Sequence, residues 1–362
     1  MKKKKPSSMD VAKAAGVSQS TVSMILNGKR LPSFTDDTIR RVIEAANALG
    51  YHGARRGKTS PPAGDTILIF CPVLSNPYYS FVAQAVEQAA YAEGFRTEIC
   101  TTYRNVDIEL RHLAGIDIGR VAGIVFSNIP LHIQKVEEIN RRIPVVVIGD
   151  RTDPIDVDTV EINSYRSGIA VAEYLMGLGH QTIAFVSTTL NDQNRLRLKR
   201  LEGIRDALQG SSRNCRLVVK SRDVSSMADI SDPDIEHKVG YALTNECLDD
   251  EEITAFIGVN DMVAYGILDA LSNAGYRVPE DYSVCGFDNV FPSRLSGISL
   301  TSIENFMIQK GHDAFDILFR RIRRSDGQNA EEPGRITRVE YQPRLIIRSS
   351  TGAVRTTETK GT

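Results

Sequence analysis

Six polar clusters hold the side chains best suited to chemistry, and all but Arg200 stand where an apolar run ends. They are Ser75-Asn76-Pro77-Tyr78-Tyr79, Ser127-Asn128, Asp150, Arg200 (ahead of Leu201-Glu202-Gly203), Asn260-Asp261 and Gly286-Phe287-Asp288-Asn289. The amide and the paired aromatics of the first could bind and stack on a flat or hydroxylated ligand. Asp150 or Asp288 could act as a general base in a sugar- or nucleoside-processing enzyme. Each cluster also reads as a turn or helix cap, which Asn and Asp supply very often. What favours a binding role is their number, if the fold brings them together.

The usual signatures of catalysis are missing. The sequence contains no G-x-S-x-G, H-E-x-x-H, G-x-x-x-x-G-K-[ST] or G-x-G-x-x-G. Its six histidines (52, 112, 132, 180, 237, 312) lack metal-ligand spacing, and His180, after Gly179, reads as a structural residue at a helix end. The five cysteines (71, 100, 215, 247, 285) form no C-x-x-C pair and suit a reducing cytosol. No metal and no cofactor is implied. No apolar run approaches a membrane span, and no hydrophobic stretch follows Lys2–Lys5 as a secretory signal would require.

A second set of candidates lies near the start. Residues 1–60 carry 12 Lys/Arg against 4 Asp/Glu, while the rest carries 32 against 41, so a net charge of −1 conceals a basic segment on an acidic body. Such asymmetry suggests a polyanion-binding module, or else a solvated basic tail. The local pattern decides between them. Ser7 and Asp10 form a capping box for a first helix with Val11, Ala12 and Ala15 on one face. Gly16 stops that helix, Val17 plugs the turn, and Ser18 caps a second helix from Gln19 to about Leu26. A third starts at the cap Thr35 and should bury Ile39, Val42, Ile43, Ala46 and Leu49. Two short helices joined by a glycine-containing turn form a helix-turn-helix. Gln19 and Ser20, on the second helix, are placed to meet base edges, and Thr21, Ser23 and Asn27 suit phosphate oxygens.

The remaining chain alternates apolar strands with amphipathic helices, which calls for parallel sheets in βαβ units. Strands are expected at 66–70, 96–101, 123–127, 145–150, 159–162, 182–187, 216–220, 255–259, 283–286 and 335–342. Ten strands exceed one comfortable sheet, so two α/β lobes are expected. Ligand groups should gather at the carboxyl ends of the strands, in a cleft between the lobes. At about 150 residues per domain, 362 residues allow two or three such units.

Asp10-Val11-Ala12, Ala15-Gly16-Val17-Ser18, Thr21-Val22-Ser23, Leu26-Asn27-Gly28 and Leu49-Gly50-Tyr51 closely resemble the DNA-binding head of the LacI/GalR family of bacterial transcription regulators. The body resembles that family's effector domain, itself similar to a periplasmic sugar-binding protein. Leu74–Tyr79, Ile143–Asp150, Gly177–His180, Arg200–Gly203, Val259–Asp261, Val278–Asp281, Gly286–Asn289, Leu300–Ile303 and Pro343–Arg348 match in order, so the resemblance spans about residues 7–350.

The resemblance implies an all-α helix-turn-helix head (1–51), a hinge (52–65) and an α/β periplasmic-binding-protein-like core of two doubly wound parallel-sheet lobes (66–350), then a tail (351–362). Lobe 1 would comprise about 66–162 and 290–323, and lobe 2 about 163–289 and 335–348, with chain crossings near 163, 290 and 324. The implied DNA contacts are Ser7, Ser18, Gln19, Ser20, Thr21, Ser23, Met24, Asn27, Lys29, Tyr51, Arg55, Arg56 and Lys58. The implied effector contacts are Asn76, Tyr78, Tyr79, Ser127, Asp150, Arg200, Asn260, Asp261 and Asp288. The implied protein is a cytoplasmic, nucleoid-associated homodimer that binds double-stranded operator DNA, most simply as a repressor, under control of a sugar-like small molecule. The body alone would suit a solute-binding protein for transport, a reading that residues 1–60 and the lack of a secretory signal oppose.

Four departures from the family pattern stand out, one of them a Lys29–Ser33 loop two residues longer than usual. Met24 replaces a frequent base-reading Arg, and Asn163-Ser164 replaces a frequent Asp-Asn. Residues 52–64 hold three Gly and two Pro where a hinge helix with a DNA-wedging leucine is usual, and Thr59 falls near the leucine's place. That segment reads as a basic arm on phosphates or the minor groove, or as a linker with solvated charges.

Overall fold

A computed structural model of the chain describes residues 6–26, 34–49, 64–150, 155–325 and 335–355. It forms two compact units that divide after Pro61. Asn27, Lys29, Tyr51, Arg55, Arg56, Lys58 and nearly all of the expected 52–65 hinge lie outside the described residues.

The first unit contains α1 (Ser8–Ala15), α2 (Gln19–Leu26) and α3 (Asp36–Leu49). The capping box forms as the sequence requires: Asp10 accepts from the Ser7 amide at 2.8 Å, and Ser7 Oγ accepts from the Asp10 amide at 3.3 Å. Gly16 ends α1 at φ 65°, a left-handed conformation that a side chain would strain. Val11, Ala12, Ala15, Val22, Ile25, Val42 and Ala46 form the core, with Val17 and Ile39 packed at its edge. Ile43 and Leu49 do not join it; they are 44% and 40% exposed. The amphipathic stripe of α3 is wider than the small α1–α2 surface it covers.

The second unit holds two six-stranded sheets. In the first, β1 (Thr66–Cys71), β2 (Arg96–Thr101), β3 (Val121–Phe126), β4 (Val145–Gly149) and β5 (Asp158–Ile162) are joined by α4 (Pro77–Ala92), α5 (Val106–Ala114) and α6 (Ile133–Asn140). In the second, β6 (Thr182–Ser187), β7 (Arg216–Ser221), β8 (Ala255–Gly258) and β9 (Ser283–Asp288) alternate with α7 (Ser164–Gly177), α8 (Arg195–Gln209), α9 (Ser226–Ser231), α10 (Ile235–Asn245) and α11 (Asp261–Asn273). The inner strands are buried on both faces, as parallel strands under helical layers must be.

The last part of the chain corrects the expected lobe boundaries. β10 (Thr301–Glu304) pairs with β9, so residues 290–304 stay with the second sheet. α12 (Met307–Ser325) then packs against α4 and the first sheet, and β11 (Arg338–Tyr341) pairs with β5 rather than joining lobe 2. β12 (Arg344–Ile346) returns to lobe 2, antiparallel to β10. The crossings thus fall near 163, at 305–306 and at 342–343. The sheet orders are β2-β1-β3-β4-β5-β11 and β7-β6-β8-β9-β10-β12.

The start of the expected tail is also part of lobe 2. Ser350 and Gly352 bond to the backbone of Val284 and to Ser283, and Gly352 O lies 3.2 Å from His180 Nε2. His180, buried, also meets Thr254 Oγ1 and Ser283 Oγ at 2.9 Å, so its structural reading holds.

Candidate functional site

Close helix contacts fix the lobe 2 half of the site. A Cβ on Gly168 of α7 would stand 2.2 Å from the carbonyl oxygen of Arg200, and one on Gly203 of α8 would stand 2.0 Å from that of Tyr165. Only glycine permits this approach, and it sets the height at which Arg200 emerges. The same device joins α10 to α11: Cβ atoms on Gly240 and Gly266 would fall within 2.2 Å of Val263 O and 2.0 Å of His237 O. That contact brings Glu236 beside Asn260.

Asn76 and Asn260 do cap helices, as the conservative reading held. Asn76 Oδ1 accepts from the Tyr78 amide at 2.9 Å, and Asn260 Oδ1 accepts from the Val263 amide at 3.0 Å. Both also face a cleft between the lobes, because each cap sits at the carboxyl end of a strand. The cavity measures about 280 Å³. It is lined by Asn76, Tyr78, Tyr79, Arg200, Asn260 and Asp288 of the expected set, with an apolar wall of Ile129, Pro130, Leu131, Ile133, Ile162 and Leu196.

Three expected residues do not line it. Ser127 is buried beside Asn128, which does. Asp150 is buried and accepts from the Ser164 amide at 2.7 Å, tying the first crossing to β4. Asp261 points away from the cleft and accepts from the Val290 amide (3.0 Å), Ser293 Oγ (2.7 Å) and Ser302 Oγ (2.6 Å). Burial, and then Asp288, pushes its carboxyl up to about 7. In the Asn260-Asp261 pair the cap faces the ligand side and the carboxylate anchors the segment after β9.

The floor of the cleft is ionic. Asp288 Oδ1 accepts from Asn305 Nδ2 at 2.8 Å and lies 3.4 Å from Arg200 NH2. Arg200 also donates to Val259 O and stacks 4.6 Å from the centre of the Phe287 ring. Burial pushes the Asp288 carboxyl up, and Arg200 opposes it. Asp288 and Asn289 adopt φ 112° and 51°, strained values that recur at ligand sites. Behind them Lys310 is fully buried, donates to Asn305 Oδ1 at 2.6 Å and lies 5.8 Å from the Tyr78 ring centre. Burial brings its ammonium down to about 7.

Sequence reasoning missed Lys310, Asn305, Arg197 and Glu236. Lys310 did leave a signal: a lysine on the stripe of α12 that otherwise buries Met307, Ala314 and Leu318. Four buried polar atoms at or beside the cleft, Ser127 Oγ, Asn128 Oδ1, Ser164 Oγ and Arg200 Nε, find no partner among the described protein groups. Buried polar atoms are normally satisfied, so these call for water or a polar ligand. Among the described residues no cluster could hold a metal ion, and no helix is long and apolar enough to cross a membrane.

In the head, Gln19, Ser20 and Ser23 are exposed on α2, with Thr21 and Met24 half-buried. Ser18 caps the helix through the Thr21 amide at 3.1 Å and pairs with Ser20 Oγ (2.7 Å) and Thr21 Oγ1 (2.8 Å). Gln19 donates to Ser8 Oγ at 2.9 Å. Ser7 is engaged in its capping box.

Comparison with known proteins agrees with both units. Residues 9–53 match the family described as bacterial regulatory proteins, lacI family, and residues 172–351 match the periplasmic binding protein-like domain. The chain is 30% identical over 355 residues to the HTH-type transcriptional repressor PurR of Proteus mirabilis, covering 94% of this chain and 95% of that one. It is 28% identical over 361 residues to the HTH-type transcriptional regulator DegA of Bacillus subtilis, covering 96% and 98%. A crystal structure of a LacI family transcriptional regulator from Enterococcus faecalis with bound ribose superposes with a TM-score of 0.65 at 25% identity, over 80% of this chain and 99% of that one.

Proposed function

The chain belongs to the lacI family of bacterial regulatory proteins, and on that footing we propose that it is a homodimeric repressor controlled by a small polar effector. It is a DNA-binding transcriptional regulator with a helix-turn-helix head. Two heads read the halves of a roughly palindromic operator, with Gln19 and Ser20 toward base edges and Ser23 toward phosphate. To reach a base, Gln19 exchanges its bond to Ser8 for one of comparable strength, so recognition costs little rearrangement.

The effector is a sugar or similar hydroxylated metabolite. The observation that carries this reading is the cleft itself. Asn76, Tyr78 and Tyr79 of one lobe and Arg200, Asn260 and Asp288 of the other line one cavity, with unsatisfied buried polar atoms beside it. Asp288 and the Arg200 fork suit vicinal hydroxyls, and the tyrosines and the apolar wall suit a ring face. The ribose bound to the Enterococcus faecalis relative fits the same chemistry. An effector that prefers one lobe arrangement shifts the population toward it and changes operator affinity by that difference alone.

Operator selection from random duplex DNA with full-length protein, at about 0.15 M salt, tests the proposal. An enriched palindrome is the expected result. Binding that shows no sequence preference would overturn it and favour a solute-binding role for the core.

A further inference from the structure

Glu236, in the first turn of α10, is a lobe 2 residue whose carboxylate is held from three directions. Oε1 accepts from Arg197 NH2 at 2.9 Å; Oε2 accepts from Asn260 Nδ2 at 3.0 Å and from Asn76 Nδ2 at 2.8 Å. Arg197 and Asn260 belong to lobe 2, but Asn76 belongs to lobe 1. The Glu236 and Arg197 side chains are each only 12% exposed, so these are charge-assisted bonds largely shielded from water. Both asparagines are spoken for at each end. Their Oδ1 atoms cap α4 and α11, and their Nδ2 atoms bond Glu236.

We propose that Glu236 is an interlobe latch, a positioning residue that holds the cleft closed and orients the two cleft asparagines. The inference deepens the effector-controlled reading above, since it assigns the group that sets the open–closed balance. Among the described residues the chain passes between the lobes near 163, at 305–306 and at 342–343. The Asn76–Glu236 contact provides a tie that no crossing supplies. An effector that enters must work with this tie or displace it. If it displaces the Asn76 arm, it gains the amide N–H that Asn76 Nδ2 gives to Glu236 and releases the tie between the lobes.

The sequence offers a clean way to cut only the interlobe arm. Asn76→Asp keeps the helix cap, because Asp caps as well as Asn. It also sets a second carboxylate against Glu236. Glu236→Ala removes the latch altogether. Spin labels on Tyr91→Cys of lobe 1 and Met227→Cys of lobe 2, both well exposed (82% and 69%), in a Cys215→Ser background, report the lobe separation by double electron–electron resonance. The protein is full length, without effector, and diluted with unlabelled chain.

Both variants should shift the distance distribution to longer values, while circular dichroism reports an unchanged fold. Glu236→Gln combined with Asn76→Asp, which restores a donor–acceptor pair, should return it toward the parent. Distributions that superpose on the parent in both folded variants would overturn the latch. That outcome would leave the DNA-binding reading untouched, because operator selection tests it separately.

Discussion

In the head, the side chains offered to a partner are exposed, or half-buried at Thr21, and bond one another: Ser18 to Ser20 and Thr21, Gln19 to Ser8. In the cleft, the corresponding side chains are buried and bonded into the scaffold: Asn76 and Asn260 to helix ends, Asp288 to Arg200 and Asn305. The contrast follows from the ligands. A DNA duplex brings its own array of donors and acceptors to a convex surface, so short polar groups that can exchange partners suffice. A small molecule offers few contacts, so its site must be set in place beforehand, and the fold invests burial, strained backbone and close helix packing to do so.

Among the described residues the head rests on seven core side chains, whereas the cleft is backed by two large clusters. Val42→Asp, which puts a charge at a position with no exposure, should therefore unfold the head and abolish operator binding. The thermal transition of the core should stay where it was. A single shifted transition would mean that the two units unfold as one.

Asp288→Ala should act in the opposite sense. It leaves the Arg200 guanidinium buried without its carboxylate, which costs about 3–5 kcal/mol. Denaturant titration should show that loss in the core transition, and the response to effector should vanish while operator affinity remains. An undiminished response would remove Asp288 from recognition.

Gln19→Ala is a smaller change. It should cost about 1–3 kcal/mol and relax preference at one operator position, measured on a set of single-base operator variants. A loss equal across all variants would make Gln19 a phosphate contact instead.

The smallest effect concerns His180. Burial holds its imidazole below the usual value near 6.5. As pH falls through 6.5, the unfolded chain takes up a proton that the folded chain refuses, so this histidine's stabilising contribution is present above that pH and is lost below it. A thermal-melt series from pH 7.5 to 5.5 should show the parent losing more stability than His180→Asn. Parallel slopes would mean that the site admits the proton.

The parts of this arrangement that were legible in the sequence are local. Caps, the Gly16 turn and the continuous apolar runs of the inner strands depend on neighbours a few residues away, and the fold keeps them. Ile43 and Leu49 were misjudged because the size of the surface that α3 meets is a tertiary property. β10 and β12, of four and three residues, are too short to show periodicity, and their pairing partners decide which lobe owns them. Asn260-Asp261 looked like two ligand groups because sequence does not reveal which way adjacent side chains turn. Glu236 was invisible for a related reason: a glutamate in a helical first turn is ordinarily a solvated partner of the helix dipole.

The order of strands along the chain has a consequence during synthesis. When residue 300 leaves the ribosome, lobe 2 still lacks β10 and β12, and lobe 1, whose first five strands were complete by residue 162, still lacks α12 and β11. The apolar face that α12 covers, including Ile67, Val125 and Val146, therefore waits for nearly half the chain to be made. Lobe 1 is not a finished unit until β11 has been translated, and lobe 2 not until the chain has crossed back at 342–343. A nascent chain stalled before residue 338 would leave two incomplete sheets rather than one folded lobe and one tail, and would depend on a holding chaperone in a way that a chain of two consecutive lobes would not.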